Sequence, residues 1–79
     1  MAGFFIKLKS INDVKEFVRI ANLFENDIDL VSGRYTVDAK SIMGIFSLDL
    51  SNPIQVEVFD GDVESLLKDM EPFIVEQNS

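Results

Sequence analysis

The spacing of apolar residues constrains the fold of this chain more than any other feature, because the period changes in order along the sequence. Gly3–Lys9 has a period of two, which is typical of a half-buried strand. Ser10–Asn22 then has apolar residues three and four positions apart, which predicts a helix. We expect Ser10 to cap this helix in a capping box with Asp13.

In the rest of the sequence, the apolar spacing again changes between the period of a strand and that of a helix. It predicts, in order, a hairpin of strands Asp27–Val31 and Tyr35–Val37 joined across Ser32 and Gly33, a short helix opened by Ser41, a strand at Ile54–Phe59, and a helix with apolar positions from Val63 to Ile74, capped by Asp60 or Asp62. Pro72 should stop or kink the last helix near Glu71, because proline has no amide proton to donate. The order βαββαβα predicts an α+β fold with helices on one face of a small antiparallel sheet. A chain of 79 residues is expected to form a single domain, residues 1–79.

The composition excludes several kinds of function. Histidine and cysteine are both absent, which removes the commonest general acid or base, the thiol nucleophile and the commonest metal ligands. A net charge of −7 repels phosphate backbones and anionic lipid head groups. We therefore expect no metal, no nucleic acid partner and no membrane partner.

The amino-terminal segment MAGFFIKLK indicates a cytoplasmic protein. It lacks the basic region, the apolar core of about 7 to 15 residues and the cleavage site of a signal peptide. No apolar run reaches the roughly 18 residues that would span a bilayer.

The remaining polar residues do not form a recognisable catalytic site. Most acidic residues alternate with apolar ones, as Glu57 does within its strand, which is typical of a solvated face. Asp60 and Asp62 flank a glycine but lack the other ligand positions of a calcium loop. The scattered glycines form no phosphate-binding loop. We therefore expect no enzyme, no catalytic residue and no cofactor.

The segment that follows Ser41 contains more apolar residues than one face of a short helix can bury. Either of two sets, each at helical spacing, could face the core: Ile42, Ile45 and Leu48, or Met43, Phe46 and Leu50. We expect some members to stay exposed, and a flexible methionine beside an aromatic ring is well suited to contact a partner.

The same segment carries a resemblance to a known family. KSIMGIFSL, Lys40–Leu48, resembles the sequence K-S-I-M-G-V-M-S-L around the regulatory serine of HPr, the histidine-containing phosphocarrier of the bacterial sugar phosphotransferase system. The resemblance covers the chain from about Ser10 to Val58. It implies an open-faced sandwich, in which three helices lie on one side of a four-stranded antiparallel sheet.

The resemblance also implies where the phosphoryl group would be carried. The family uses a histidine at the start of the first helix, in a motif of the form G-L-H-T-R-P. The matching positions here hold Ser10, Asn12 and Asp13, so the histidine, arginine and proline are all absent. Asp13 also adds a negative charge where a phosphate would be held at the helix start. This sequence therefore excludes phosphocarrier chemistry through histidine, and we expect Ser10 to serve as a helix cap.

The regulatory serine of the family matches Ser41. The resemblance implies that a dedicated serine kinase phosphorylates it, in addition to its role as a helix cap. By the same resemblance, Ile42, Met43 and Phe46 would bind a protein partner, either that kinase or a transcriptional regulator.

The sequence thus predicts a non-catalytic HPr-like protein that has lost the phosphocarrier site and regulates through the surface around Ser41. The resemblance includes a catabolite-repression variant of the family that also lacks the active histidine. Two alternatives remain open. A phosphoacceptor in a sugar-transport relay would take phosphate from phosphoenolpyruvate through its enzyme, whereas a small-ligand-binding α/β sandwich would have a pocket.

Overall fold

The strands of the computed structural model, which describes residues 2–76, form a single antiparallel sheet covered by helices on one face. The elements run in the order β1 (Ala2–Ile6), α1 (Ile11–Ala21), β2 (Asp27–Ser32), β3 (Tyr35–Asp38), α2 (Ile42–Phe46), β4 (Ile54–Phe59), α3 (Val63–Asp69), a 3-10 turn (Glu71–Phe73) and β5 (Ile74–Val75). This order confirms the predicted α+β open-faced sandwich with three helices on one face.

The strand order in the sheet is β3-β2-β4-β1-β5, so β4 lies at the centre. Val56 of β4 is paired with Phe4 of β1 on one side and with Leu30 of β2 on the other. Because side chains on neighbouring strands in register point to the same face, these three residues form one apolar row. That row faces the helices, and Val56 and Leu30 are completely buried.

The core is built around Phe17, which is completely buried on α1. Its ring meets that of Phe73 edge to face, with the ring centroids 6.2 Å apart and the planes at 77°. Phe17 and Val56 therefore belong to the same core. The other buried apolar residues are Ile6, Leu8, Val14, Ile20, Ala21, Ile28, Leu30, Ala39, Ile45, Leu48, Ile54, Val58, Leu66, Met70 and Phe73.

The carboxyl-terminal part of the described chain differs from the prediction in one respect. The last helix ends at Asp69, and Pro72 lies in the following 3-10 turn, as its missing amide requires. Ile74, which we expected on that helix, instead pairs with Ile6 in a fifth strand. The amide of Lys7 also donates to the carbonyl of Phe73, at 2.8 Å. The sheet therefore has five strands and not four.

Two other element boundaries differ from the prediction by a few residues. The hairpin turn lies one residue later than predicted, because Ser32 is still paired with Tyr35 and the turn is made by Gly33 and Arg34. Gly33 has a φ of +60°, which glycine adopts without strain. The first strand is also shorter than the predicted Gly3–Lys9, since it ends at Ile6.

The helices of the described residues are short, and the longest has 11 residues. None of them has the length and apolar character that crossing a bilayer requires.

We predict that Phe17→Ala lowers the free energy of unfolding by about 3–5 kcal/mol, because it leaves a cavity where the ring packs on Phe73. Leu23→Ala is the matched control: Leu23 is 66% exposed, and we expect a change within about 0.5 kcal/mol. Urea titration followed by circular dichroism measures both. A wild-type midpoint for Phe17→Ala would contradict this assignment of the core.

Candidate functional site

The start of α1 is closed by hydrogen bonds within the chain. The Ser10 hydroxyl accepts from the Asp13 amide at 3.1 Å, which confirms the predicted cap. In return, a carboxylate oxygen of Asp13 accepts from the Lys9 amide at 2.9 Å, one residue earlier than in a standard capping box. The carboxylate therefore adds a negative charge to the first turn of α1. A phosphate at this position would be repelled by it.

The start of α2 has a different character. Ser41 has an extended backbone, and its hydroxyl accepts from the Gly44 amide at 3.1 Å, so its predicted role as a cap is confirmed. The first turn of α2 contains no acidic residue. The cap therefore satisfies a backbone amide without adding a negative charge.

Gly44 allows α2 to pack close to the sheet. A Cβ at this position would lie 3.3 Å from Cβ of Val37 on β3 and 3.4 Å from Oγ of Ser41. The first distance is tighter than ordinary van der Waals contact, and the second lies at its lower limit. Glycine is unfavourable inside a helix, but here it permits a close approach that a Cβ would crowd.

Lys40 connects the start of α2 to the segment that follows α1 through hydrogen bonds. Its ammonium group donates to the Phe24 carbonyl at 2.6 Å, and its amide donates to the Asp38 carboxylate at 2.8 Å. The side-chain amide of Asn22 donates to the carbonyls of Val18 and Lys40, at 2.8 and 3.5 Å. These bonds fix the backbone immediately before Ser41.

The packing of α2 decides which of its two apolar sets faces the core. Ile45 is completely buried and Ile42 is half-buried against the core, whereas Met43 is 78% exposed and Phe46 is 44% exposed. Met43 and Phe46 lie three positions apart in α2 and so share one side of the helix. We call this pair the α2 ridge.

A shallow apolar groove lies between the beginning of α1 and the end of α2. Leu8 and Leu50 line it together with Ile11 and Phe46, and Ile11 is 62% exposed. We call this depression the α1–α2 groove. Sequence analysis missed the contribution of Ile11, which follows the cap directly and lies at the edge of the apolar stripe of α1. An apolar residue exposed at the first helical position is the signal that could have found it.

A second groove runs between α1 and the 3-10 turn. It is lined by Asn12, Asp13, Lys15, Glu16, Arg19, Ile20, Leu23, Asp69, Pro72 and Phe73. Arg19 donates to Glu16 in an ion pair, and this hydrogen bond lowers the pKa of the Glu16 carboxyl. The charges of this groove are therefore partly paired with one another, which leaves less of them to bind a ligand.

The structure does not bring the predicted site residues together into one cluster. Ser10 and Asn12 lie at the exposed start of α1, whereas Ser41, Ile42, Met43 and Phe46 all belong to α2 or its cap. The link between the two regions is the α1–α2 groove, which has Ser10 and Phe46 among its lining residues.

Comparison with protein-family profiles gives one match. Residues 12–75 match the profile described as the PTS HPr component phosphorylation site. The matched segment begins two residues after Ser10. No curated protein matches the chain significantly.

Solved structures also resemble this one. HPr-C-His from Thermoanaerobacter tengcongensis is 29% identical with a TM-score of 0.79, covering 91% of this chain and 89% of that one. The phosphocarrier protein HPr from Bacillus anthracis str. Ames is 27% identical with a TM-score of 0.76, covering 94% and 96%. A histidine-containing phosphocarrier protein from Mycoplasma shares the fold at 14% identity, with a TM-score of 0.74 and coverage of 90% and 89%.

We predict that Ser41→Ala lowers the free energy of unfolding by about 0.5–2 kcal/mol, because the Gly44 amide loses its acceptor. Ser41→Asp should keep most of the stability, since aspartate caps helices as well as serine does. Thermal unfolding of the three proteins under identical conditions measures this. Equal stability of the alanine and wild-type proteins would show that the bond to Gly44 contributes nothing.

Proposed function

The chain belongs to the HPr family, and from this membership we propose that it is a non-catalytic, cytoplasmic regulatory protein of the phosphotransferase system and not a histidine phosphocarrier. The observation that carries the proposal is the contrast between its two helix starts. The first turn of α1 contains the Asp13 carboxylate, whereas the first turn of α2 after Ser41 contains no acidic residue and lies beside the exposed α2 ridge.

The first part of the proposal concerns the lost carrier function. The chain has no histidine, and Ser10 and Asn12 stand at the family's histidine and arginine positions. The Ser10 hydroxyl accepts a hydrogen bond from the Asp13 amide. Among the described residues, no side chain forms a hydrogen bond with this hydroxyl that could make it a general base for Ser10. A serine ester is also a much poorer phosphoryl donor than a phosphohistidine, so Ser10 does not replace the missing ring.

The second part concerns the partner. Exposed methionine and aromatic side chains are favourable contacts in protein interfaces, because they bury a large apolar area and adapt their shape. The α2 ridge offers both, and half-buried Ile42 supports it from the same helix. We therefore assign Ile42, Met43 and Phe46 to the binding of a protein partner, either a serine kinase of the phosphotransferase system or a transcriptional regulator.

The third part concerns Ser41 as a phosphorylation site. A phosphate on its oxygen would be stabilised by the amides of the first turn of α2. Two acidic residues lie near Ser41 in the sequence, and both accept local hydrogen bonds. Asp38 accepts from the Lys40 amide, and Asp49 accepts from the amide and the hydroxyl of Ser51. These bonds to Ser51 lower the pKa of the Asp49 carboxyl, which therefore remains charged at neutral pH. Its charge weakens the attraction for phosphate without removing the amides that would hold it.

We predict that the protein takes no label from phosphoenolpyruvate and the general phosphotransferase enzyme, because no imidazole is present to accept it. Incubation with ³²P-labelled phosphoenolpyruvate tests this, with a histidine-containing HPr as the control in the same reaction. Stoichiometric, acid-labile label on this chain would instead establish the alternative, a carrier in a sugar-transport relay.

We further predict that the serine kinase of the phosphotransferase system and ATP modify Ser41 and that Ser41→Ala and Ser41→Asp are not modified. Phosphopeptide mass spectrometry measures this, with a known HPr as positive control. Met43→Ala and Phe46→Ala should each weaken binding of the kinase at least about fivefold, the equivalent of about 1 kcal/mol, because each removes an exposed apolar contact. Leu23→Ala removes an equally exposed apolar side chain elsewhere and should have no effect.

Each outcome separates two roles. If the control HPr is modified and this chain is not, Ser41 is a structural cap and only the α2 ridge remains as a regulatory surface. If Leu23→Ala weakens binding as much as Met43→Ala does, the ridge is not the binding site.

A further inference from the structure

The side of the sheet that points away from the helices carries negative charge and no positive charge. The five strands of the described chain contain four carboxylates, Asp27, Asp29, Asp38 and Glu57, but no lysine and no arginine. Successive side chains of a strand point to opposite faces of the sheet. Each carboxylate directly neighbours a buried or core-packed residue in its strand, so all four point away from the helices.

Three of these carboxylates form one row across neighbouring strands. Glu57 of β4 is paired with Asp29 of β2, and Asp29 is paired with Asp38 of β3. Neighbouring strands are about 4.8 Å apart, so the row spans about 10 Å. Like charges directly opposite one another destabilise a sheet. No ion pair in the described part of the chain includes any of the three, so no cation of the protein itself offsets their repulsion.

A row with apolar side chains lies next to the acidic row. Its members, in order across β5, β1, β4 and β2, are Val75, Phe5, Gln55 and Val31. The three apolar members are half-buried, and they belong neither to the core nor to the side chains packed against it. The rows are two residues apart along each strand, which is about 7 Å. We call these two rows the open face.

The open face fits a partner that is both apolar and basic. A metal ion would not use the apolar row, and none of the described carboxylates form a group that could hold one. A second copy of this chain would bring the same row of negative charges and be repelled. A protein segment whose apolar side chains cover Val31 places its lysines or arginines over Asp29, two residues along the same strand. Burial of the apolar side chains provides affinity, and the carboxylates provide selectivity.

We infer that the open face binds a segment of a partner protein that combines apolar side chains with lysine or arginine, and that Asp29 and Glu57 select this segment. The helices lie on the opposite side of the sheet, so the open face is separate from the α2 ridge. A partner bound there leaves Ser41 uncovered. The inference does not depend on the proposed function.

Two synthetic peptides of about 18 residues test the inference. Both carry the same lysines, but one has leucine and phenylalanine at the positions where the other has serine. Titration of each peptide into the ¹⁵N-labelled full chain, followed by NMR, gives the affinity and the residues contacted. We expect the apolar peptide to bind more tightly than the serine peptide and to shift the amides of Phe5, Asp29, Val31 and Glu57. Added salt should weaken its binding.

Because the whole chain is acidic, it attracts any lysine-rich peptide to some extent, and two double variants separate this attraction from the row. Asp29→Asn with Glu57→Gln should weaken binding of the apolar peptide by about fivefold. Glu64→Gln with Glu71→Gln is the matched control, because it removes the same number of charges from exposed positions in α3 and the 3-10 turn. The control should change the affinity much less.

The first double variant should also raise the urea midpoint of the free protein above that of the control, because it relieves the repulsion within the row. A lower midpoint would show that the carboxylates stabilise the sheet and are not kept for a partner. The NMR spectrum of each variant verifies its fold.

Three further results would overturn the inference. Equal weakening by the two double variants would mean that net charge alone attracts the peptide. Equal binding of the serine peptide would mean that the surface attracts any polycation and does not use its apolar row. Amide shifts confined to the helices would place the peptide elsewhere. The proposed function is judged separately, by whether the kinase depends on Met43 and Phe46.

Discussion

The fold depends on the contact between one apolar row of the sheet and the helix that covers it. Val56 lies between Phe4 and Leu30 in register, and Phe17 buries its whole ring in the same core. A chain of this length has a small core, so the burial of one phenylalanine contributes a large share of its free energy of unfolding. With α1 fixed in this way, its first residues, Ser10 and Ile11, are held at the edge of the groove.

The position of α2 follows from a second constraint, the close approach of Gly44 to Val37. A helix of five residues is not stable by itself and must be held by its surroundings. Here the Ser41 cap, the bonds of Lys40 and the burial of Ile45 hold it. The same packing leaves the α2 ridge exposed, which is the surface that we propose to bind a partner.

Local patterns predicted those parts of the molecule that local interactions determine. The caps at Ser10 and Ser41 depend on residues three positions away, and both were predicted from the sequence. The fifth strand was not, because Ile74 also lies at helical spacing from Met70 and becomes a strand only by pairing with Ile6. The exposed side of α2 could not be decided either, since both apolar sets have helical spacing and a contact with β3 makes the choice. The α1–α2 groove is lined by residues from two segments that are far apart in sequence, so neither segment alone predicts it.

The first turns of α1 and α2 differ in charge, and the proposed function depends on this difference. A helix start with free amides attracts an anion, whether a phosphate or a side chain of the same chain. At α1 the Asp13 carboxylate lies in the first turn and accepts from the Lys9 amide just before the cap, and its negative charge makes an external phosphate unfavourable. At α2 the neutral Ser41 hydroxyl provides the cap, and no acidic residue follows in the first turn. The absence of a corresponding aspartate in the first turn of α2 is what a retained phosphorylation site at Ser41 would require.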